Sequence, residues 1–309
     1  MSERSSLRSS GAAGGGALAG ALRLALALAV AVVAMGTAAC TDKRGAGGPG
    51  SGSGAGTSSG SGSSRAGEPL RVAAASDLAS AFPEVGKAFE AATGKKVDFS
   101  FGSTGLLGKQ IAEGAPYDVF AAANVSYVDE VVRANACDGS TKQLYAKGRI
   151  VMWSTDKSML PSSLEGLRDK KVAKVAIANP DHAPYGLAAQ QALTKAGVWA
   201  DVKPRAVYGE NVQQTMMFAQ SGNAEVAIVA LSLALQHAPG EPPRGGYVLI
   251  GADLHAPLDQ AMVICKGGSA GNKPNEARAF LDFVASEQGH AIMRKYGFLL
   301  PGEAAPPSP

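Results

Sequence analysis

The chain has 309 residues, 46% hydrophobic and 18% charged, which is enough apolar material to bury a sizeable core and excludes disorder throughout. Its formal charge of +3 is set at the N-terminus, since removing Arg4, Arg8, Arg23 and Glu3 leaves 26 basic against 25 acidic side chains. That balance gives no support for a nucleic-acid partner, which needs a basic surface, and three cysteines are too few and too scattered for a structural zinc site.

In chain order, Arg4, Arg8 and Arg23 precede an apolar run at 24–35. The run is too short to span a hydrocarbon core of about 30 Å and suits the h-region of a signal peptide. Thr37-Ala38-Ala39-Cys40 resembles the lipobox of bacterial lipoproteins, with Thr37 where Leu is usual. That resemblance implies loss of residues 1–39 and lipidation of Cys40; the alternative is a plain signal peptide cut near Ala39. Residues 40–67 follow, and from 45 onward they are almost wholly Gly, Ser, Ala and Thr. Such a stretch predicts an unfolded tether with an r.m.s. reach of roughly 25–30 Å. The folded body is expected at 68–309.

The body alternates strand-like and helix-like segments. Strands are predicted at 70–75, 96–101, 117–122, 150–154, 172–178, 224–230 and 247–250. Helices are predicted from Leu78 to Thr93, over 106–112 and 125–133, near 185–196 and 211–220, and through Ala277, Phe280, Leu281 and Val284. The alternation predicts an α/β fold of mostly parallel sheets flanked by helices. The size of the body suits two lobes. With crossings expected at 148–154 and 259–265, residues 68–149 plus 259–309 make lobe I and 150–258 make lobe II. A ligand would sit in the interlobe cleft, beyond the carboxyl ends of the strands.

Four strand-to-helix turns carry small and hydroxyl residues: Ala75-Ser76-Asp77, Gly102-Ser103-Thr104-Gly105, the stretch Asn179-Pro180-Asp181-His182-Ala183-Pro184-Tyr185-Gly186, and Gly209-Glu210-Asn211-Val212. Unpaired N–H groups and the helix dipole make each start a candidate anion site. The competing reading is that Ser, Thr and Asn simply cap their own helices, as such residues usually do.

Residues 73–78, 101–111 with Gly114-Ala115-Pro116, 179–186, and Arg294-Lys295-Tyr296-Gly297-Phe298 together resemble the periplasmic molybdate-binding proteins of ABC importers. The resemblance covers nearly all of 70–300. It implies the two-lobed fold of type II solute-binding proteins, a molybdate or tungstate dianion held by neutral donors, no catalysis and no cofactor. It also implies an ABC permease as partner, a monomer, and a place in the periplasm or on the outer face of the cytoplasmic membrane. Carried over by position, Ser76 and Thr104 would supply hydroxyls, with Ser103 adjacent, and Tyr185 and Val212 would supply backbone N–H groups. Molybdenum would be held only as the oxyanion, through these same residues. Many members carry Tyr where this chain has Ala230, and we expect the Tyr185 hydroxyl to replace that donor. Sulfate, thiosulfate or phosphate on the same fold is the alternative, with Asp77 and Asp181 near the pocket as acceptors for a protonated anion.

Other patterns carry less. The stretch from Gly102 to Gln110 is one residue too long for a P-loop and lacks its Ser or Thr. His182, His237, His255 and His290 show no metal-ligand spacing and are expected to be surface or cap residues. Cys137 ends a helix before the first expected crossing and Cys265 ends the strand that returns, and the pair is read either as a disulfide of an exported protein or as two buried thiols.

Overall fold

The computed structural model describes residues 68–236, 244–266 and 273–304, so the signal peptide (1–39), Cys40, the tether (40–67) and His237 lie outside the described residues. The chain first runs through β1 (Leu70–Ala75), α1 (Phe82–Thr93), β2 (Val97–Gly102), α2 (Thr104–Ala112), β3 (Val119–Ala122), α3 (Val125–Arg133) and β4 (Gln143–Gly148). Next come β5 (Ile150–Ser154), β6 (Val175–Ala178), α4 (Pro184–Lys195), α5 (Trp199–Val202), β7 (Ala206–Gly209), α6 (Val212–Gln220), β8 (Val226–Ala230) and α7 (Leu231–Ala234). It closes with β9 (Gly246–Leu249), β10 (Leu258–Ile264), α8 (Pro274–Val284) and α9 (Glu287–Lys295).

These strands form two sheets, ordered β2-β1-β3-β10-β4 and β7-β6-β8-β5-β9. In each sheet one strand, β10 or β5, runs against both its neighbours, so four strands of five share a direction. In the first sheet successive side chains face opposite layers. Val72, Ala74, Val119 and Ala121 pack with Phe82, Phe89 and Phe280 of α1 and α8. Ala73, Phe120, Ala122 and Val263 pack with Leu107, Ile111, Val128 and Val131 of α2 and α3. In the second sheet β5, β6 and β8 are buried at every residue, which is why they read as apolar runs without alternation.

The chain changes sheets beside both expected crossings, though not through strands that span the two sheets. Neither 148–154 nor 259–265 is a strand shared between sheets; β5 and β10 each pair within one sheet only. The chain changes sheets at Arg149, between β4 and β5, and returns between β9 and β10. Arg149 is held there by its carbonyl, which accepts from Leu231 N–H, and by its guanidinium, which donates to Gly297 O at 2.9 Å. The helix expected from Leu78 also splits: Ser76–Leu78 is a single 3-10 turn, and α1 begins at Phe82, with Pro83 in its first turn where no N–H is missed. Cys137 and Cys265 are bonded to each other, S–S 2.10 Å.

Candidate functional site

Strands β1, β2, β6 and β7 all end at one place. The turn Ser76–Leu78 and helices α2, α4 and α6 follow these strand ends, and the residues at their starts line one small, partly open cavity. Ser76, Ser103, Thr104, Tyr185 and Val212 all line it, beside Asp77, Ala75, Gly102, Ala123, Ala183, Pro184 and Asn211. No Lys, Arg or His is among these lining residues, and Asp77 is the one charged group in the wall. The other acid named from the sequence, Asp181, is exposed and does not line the cavity. Ala230 is fully buried at the end of β8 and is likewise absent from the lining. Among the described residues, no group of His, Cys, Asp and Glu is arranged to hold a metal ion.

The capping alternative holds at only one of the four starts. Asn211 caps α6, its side chain accepting from Gln214 N–H. Ser103 occupies the cap position of α2 without capping it, and Ala183 before α4 has no cap group to offer. Thr104 and Val212 are the first residues of α2 and α6, and Tyr185 is the second of α4. An N–H at such a position has no acceptor within its helix. Thr104 Oγ1 accepts from Ala123 N–H at 3.3 Å and is 2% exposed.

Two groups expected to serve the pocket are committed elsewhere. The Tyr185 hydroxyl donates to Asp77 Oδ2 at 2.9 Å. A phenol has one proton, so in this geometry it does not replace the donor missing at Ala230. Ser103 Oγ lies 2.7 Å from the carbonyl oxygen of His182, to which it donates, and 2.8 Å from His182 Nδ1. His182 is therefore neither a surface nor a cap residue; it bridges from the loop before α4 to the start of α2.

Asp77 is the centre of a buried network that sequence reasoning placed near the pocket without finding its partners. Besides the Tyr185 bond, Oδ2 accepts from Gln260 Nε2 at 2.6 Å, and the Asp77 carbonyl accepts from Ser232 Oγ at 2.7 Å. Gln260 sits where the pairing of β10 with β4 slips register, a bulge of the kind that re-aims a side chain. Asp77 Oδ1 and Gln260 Oε1 are buried without a hydrogen-bond partner. Burial pushes the Asp77 carboxyl up to about 6, against the smaller opposing pull of the Gln260 and Tyr185 bonds. Burial also raises the Tyr185 hydroxyl well above the usual tyrosine range, with the neighbouring Asp77 charge adding to it.

Comparison with known proteins agrees with this architecture. Residues 70–299 match the family model for bacterial extracellular solute-binding protein. The molybdate-binding protein ModA of Rhodobacter capsulatus is 33% identical over 234 residues, covering 76% of this chain and 89% of that protein. The solved periplasmic molybdate-binding protein of Azotobacter vinelandii superposes with a TM-score of 0.70 at 30% identity, over 75% of this chain and 99% of that one. The sulfate-binding protein SubI of Mycobacterium tuberculosis shares the fold, with a TM-score of 0.63 at 14% identity over 76% of this chain and 87% of that one.

Proposed function

The chain belongs to the bacterial extracellular solute-binding protein family, and from that premise we propose that it captures molybdate and tungstate for an ABC importer. It is a binding protein and not an enzyme. The observation that carries the reading is the meeting of Ser76, Thr104, Tyr185 and Val212 on one cavity that no cation lines. Those positions offer hydrogen-bond donors and no fixed positive charge.

A tetraoxo dianion has acceptors and no proton to give, so it suits such a lining. Each bond from a neutral donor to it is charge-assisted and roughly twice as strong as a neutral one. The Ser76 and Thr104 hydroxyls donate from lobe I, the N–H groups of Tyr185 and Val212 from lobe II, and the helix dipoles add to both. Thr104 Oγ1 already accepts from Ala123, which leaves its own proton for the anion. Because the donors lie on both lobes, 68–149 with 259–309 and 150–258, the anion favours the closed arrangement, and hinge closure is the mechanism. Closed, the monomer presents both lobes to the permease. A lipid on Cys40 and the tether at 40–67 hold it at the outer face of the cytoplasmic membrane or in the periplasm.

Cavity size selects among tetrahedral anions. The rival ligands are sulfate, thiosulfate and phosphate, and the specific observation for phosphate is the unpartnered Asp77 Oδ1, an acceptor for a protonated oxygen. A thermal-shift series decides. A ligand at 100 times its dissociation constant adds ~2.7 kcal/mol of stability, so molybdate and tungstate should raise the melting midpoint at concentrations where the rivals do not. A larger shift with sulfate or phosphate would overturn the assignment.

A further inference from the structure

His182 carries three hydrogen bonds that join the loop before α4 to the start of α2, from one lobe to the other. Its carbonyl oxygen accepts from Ser103 Oγ at 2.7 Å and from Gly105 N–H at 2.9 Å, and its ring Nδ1 lies 2.8 Å from the same Ser103 Oγ. Ser103 has one proton. With that proton on the carbonyl, the ring nitrogen must supply its own N–H to Ser103, and every group in the clasp is then satisfied. A Cβ on Gly105 would stand 2.7 Å from the His182 oxygen, closer than carbon and oxygen tolerate, so the approach depends on glycine there.

The start of α2 is thereby divided. Thr104 lines the cavity, while Ser103 and Gly105, on either side of it, spend their donors on the opposite lobe. Ser103 has no proton left for an anion, although its side chain also lines the cavity. His182 itself does not line the cavity and stands half-buried beside it. All three bonds exist only while the lobes are together.

We propose that His182 is a positioning residue, a latch that holds the lobes closed over the captured oxyanion and sets how slowly it leaves. This rests on the capture of molybdate proposed above. A latch that forms after the anion has docked slows dissociation and leaves association nearly untouched, which distinguishes it from a ligand residue.

The test is stopped-flow release and association of molybdate with the full chain, comparing the parent with His182→Ala, Ser103→Ala, the double variant and His182→Asn. Removing one or two such bonds should speed release by about five- to tenfold and change association by less than about twofold. The double variant should be no faster than the faster single one, because both remove the same contact. His182→Asn, whose amide N–H can stand where Nδ1 stands, should restore slow release. Unchanged release in His182→Ala, or additive losses in the double variant, would overturn the latch while leaving capture intact. If the parent binds no molybdate, capture and latch fall together. Melting of each variant without ligand should match the parent, and a variant that melts early is replaced in the comparison by Gly105→Ala, which strikes the same contact from the backbone side.

Discussion

The hydroxyl of Ser76 is the plainest donor in the cavity. Among the described residues it bonds to no other group, although Ser76 is only 4% exposed. A hydrogen bond to a charged partner contributes about 1.5–3 kcal/mol, so Ser76→Ala and Thr104→Val should each weaken molybdate roughly tenfold to a hundredfold in calorimetry. Unchanged affinity in both would remove these side chains from the ligand set. Tyr185→Phe should cost less than either, because the hydroxyl serves Asp77 and only the backbone of Tyr185 is left to the anion. Asp77 itself makes the folded protein pH-dependent. A carboxyl raised to about 6 holds its proton more tightly folded than unfolded, so its contribution is full below pH 4 and is lost as pH rises through 6. The span corresponds to about 3 kcal/mol. Denaturant unfolding at pH 4 and pH 7 should show that loss in the parent and not in Asp77→Asn; equal pH slopes in the two would contradict the buried charge.

At the scale of elements, the site depends on where helices begin and on how nearly two of those starts touch. Gly105→Ala in α2 would drive a methyl into the His182 carbonyl and against the Tyr127 ring, 3.0 Å away. It should therefore weaken molybdate, with a smaller loss of ligand-free melting from the Tyr127 contact inside the same lobe. Early melting with unaltered affinity would refute the assignment of Gly105 to closure. The bond between Cys137, just beyond α3, and Cys265, at the end of β10, closes a long loop, the two residues lying 128 apart. The chain-entropy model gives it up to about 5 kcal/mol. Denatured but unreduced protein should expose no thiol from either residue, and reduction should lower the melting midpoint by several degrees. Two titratable thiols would contradict the bridge.

For the molecule as a whole, local pattern revealed a good deal. The segments 70–75, 125–133 and 150–154 were legible to the residue, because short apolar stretches between turn residues and a two-faced helix each leave a local pattern. β4 and β7 were not, since Gln143 and Lys147 interrupt the first and the second has only four residues, half of them partly exposed and one exposed. α9 was hidden by Gly289 and by charges on its outer face. The four strand-to-helix turns were visible in the sequence, but the choice of Ser76, Thr104, Tyr185 and Val212 within them came from the resemblance to molybdate-binding proteins and not from local pattern. The long-range partners could not be named: Ser103 meets His182 across 79 residues, and Asp77 meets Gln260 across 183, distances over which a single chain leaves no local trace. The central claim is that alcohol and amide donors alone hold the anion. It is tested most directly by a crystal structure of the molybdate complex with anomalous density recorded at the molybdenum edge. The account predicts one strong peak in the cavity, its oxygens within hydrogen-bond reach of Ser76 Oγ, Thr104 Oγ1 and the nitrogens of Tyr185 and Val212. A peak elsewhere, or one contacted by a Lys or Arg nitrogen, would contradict it.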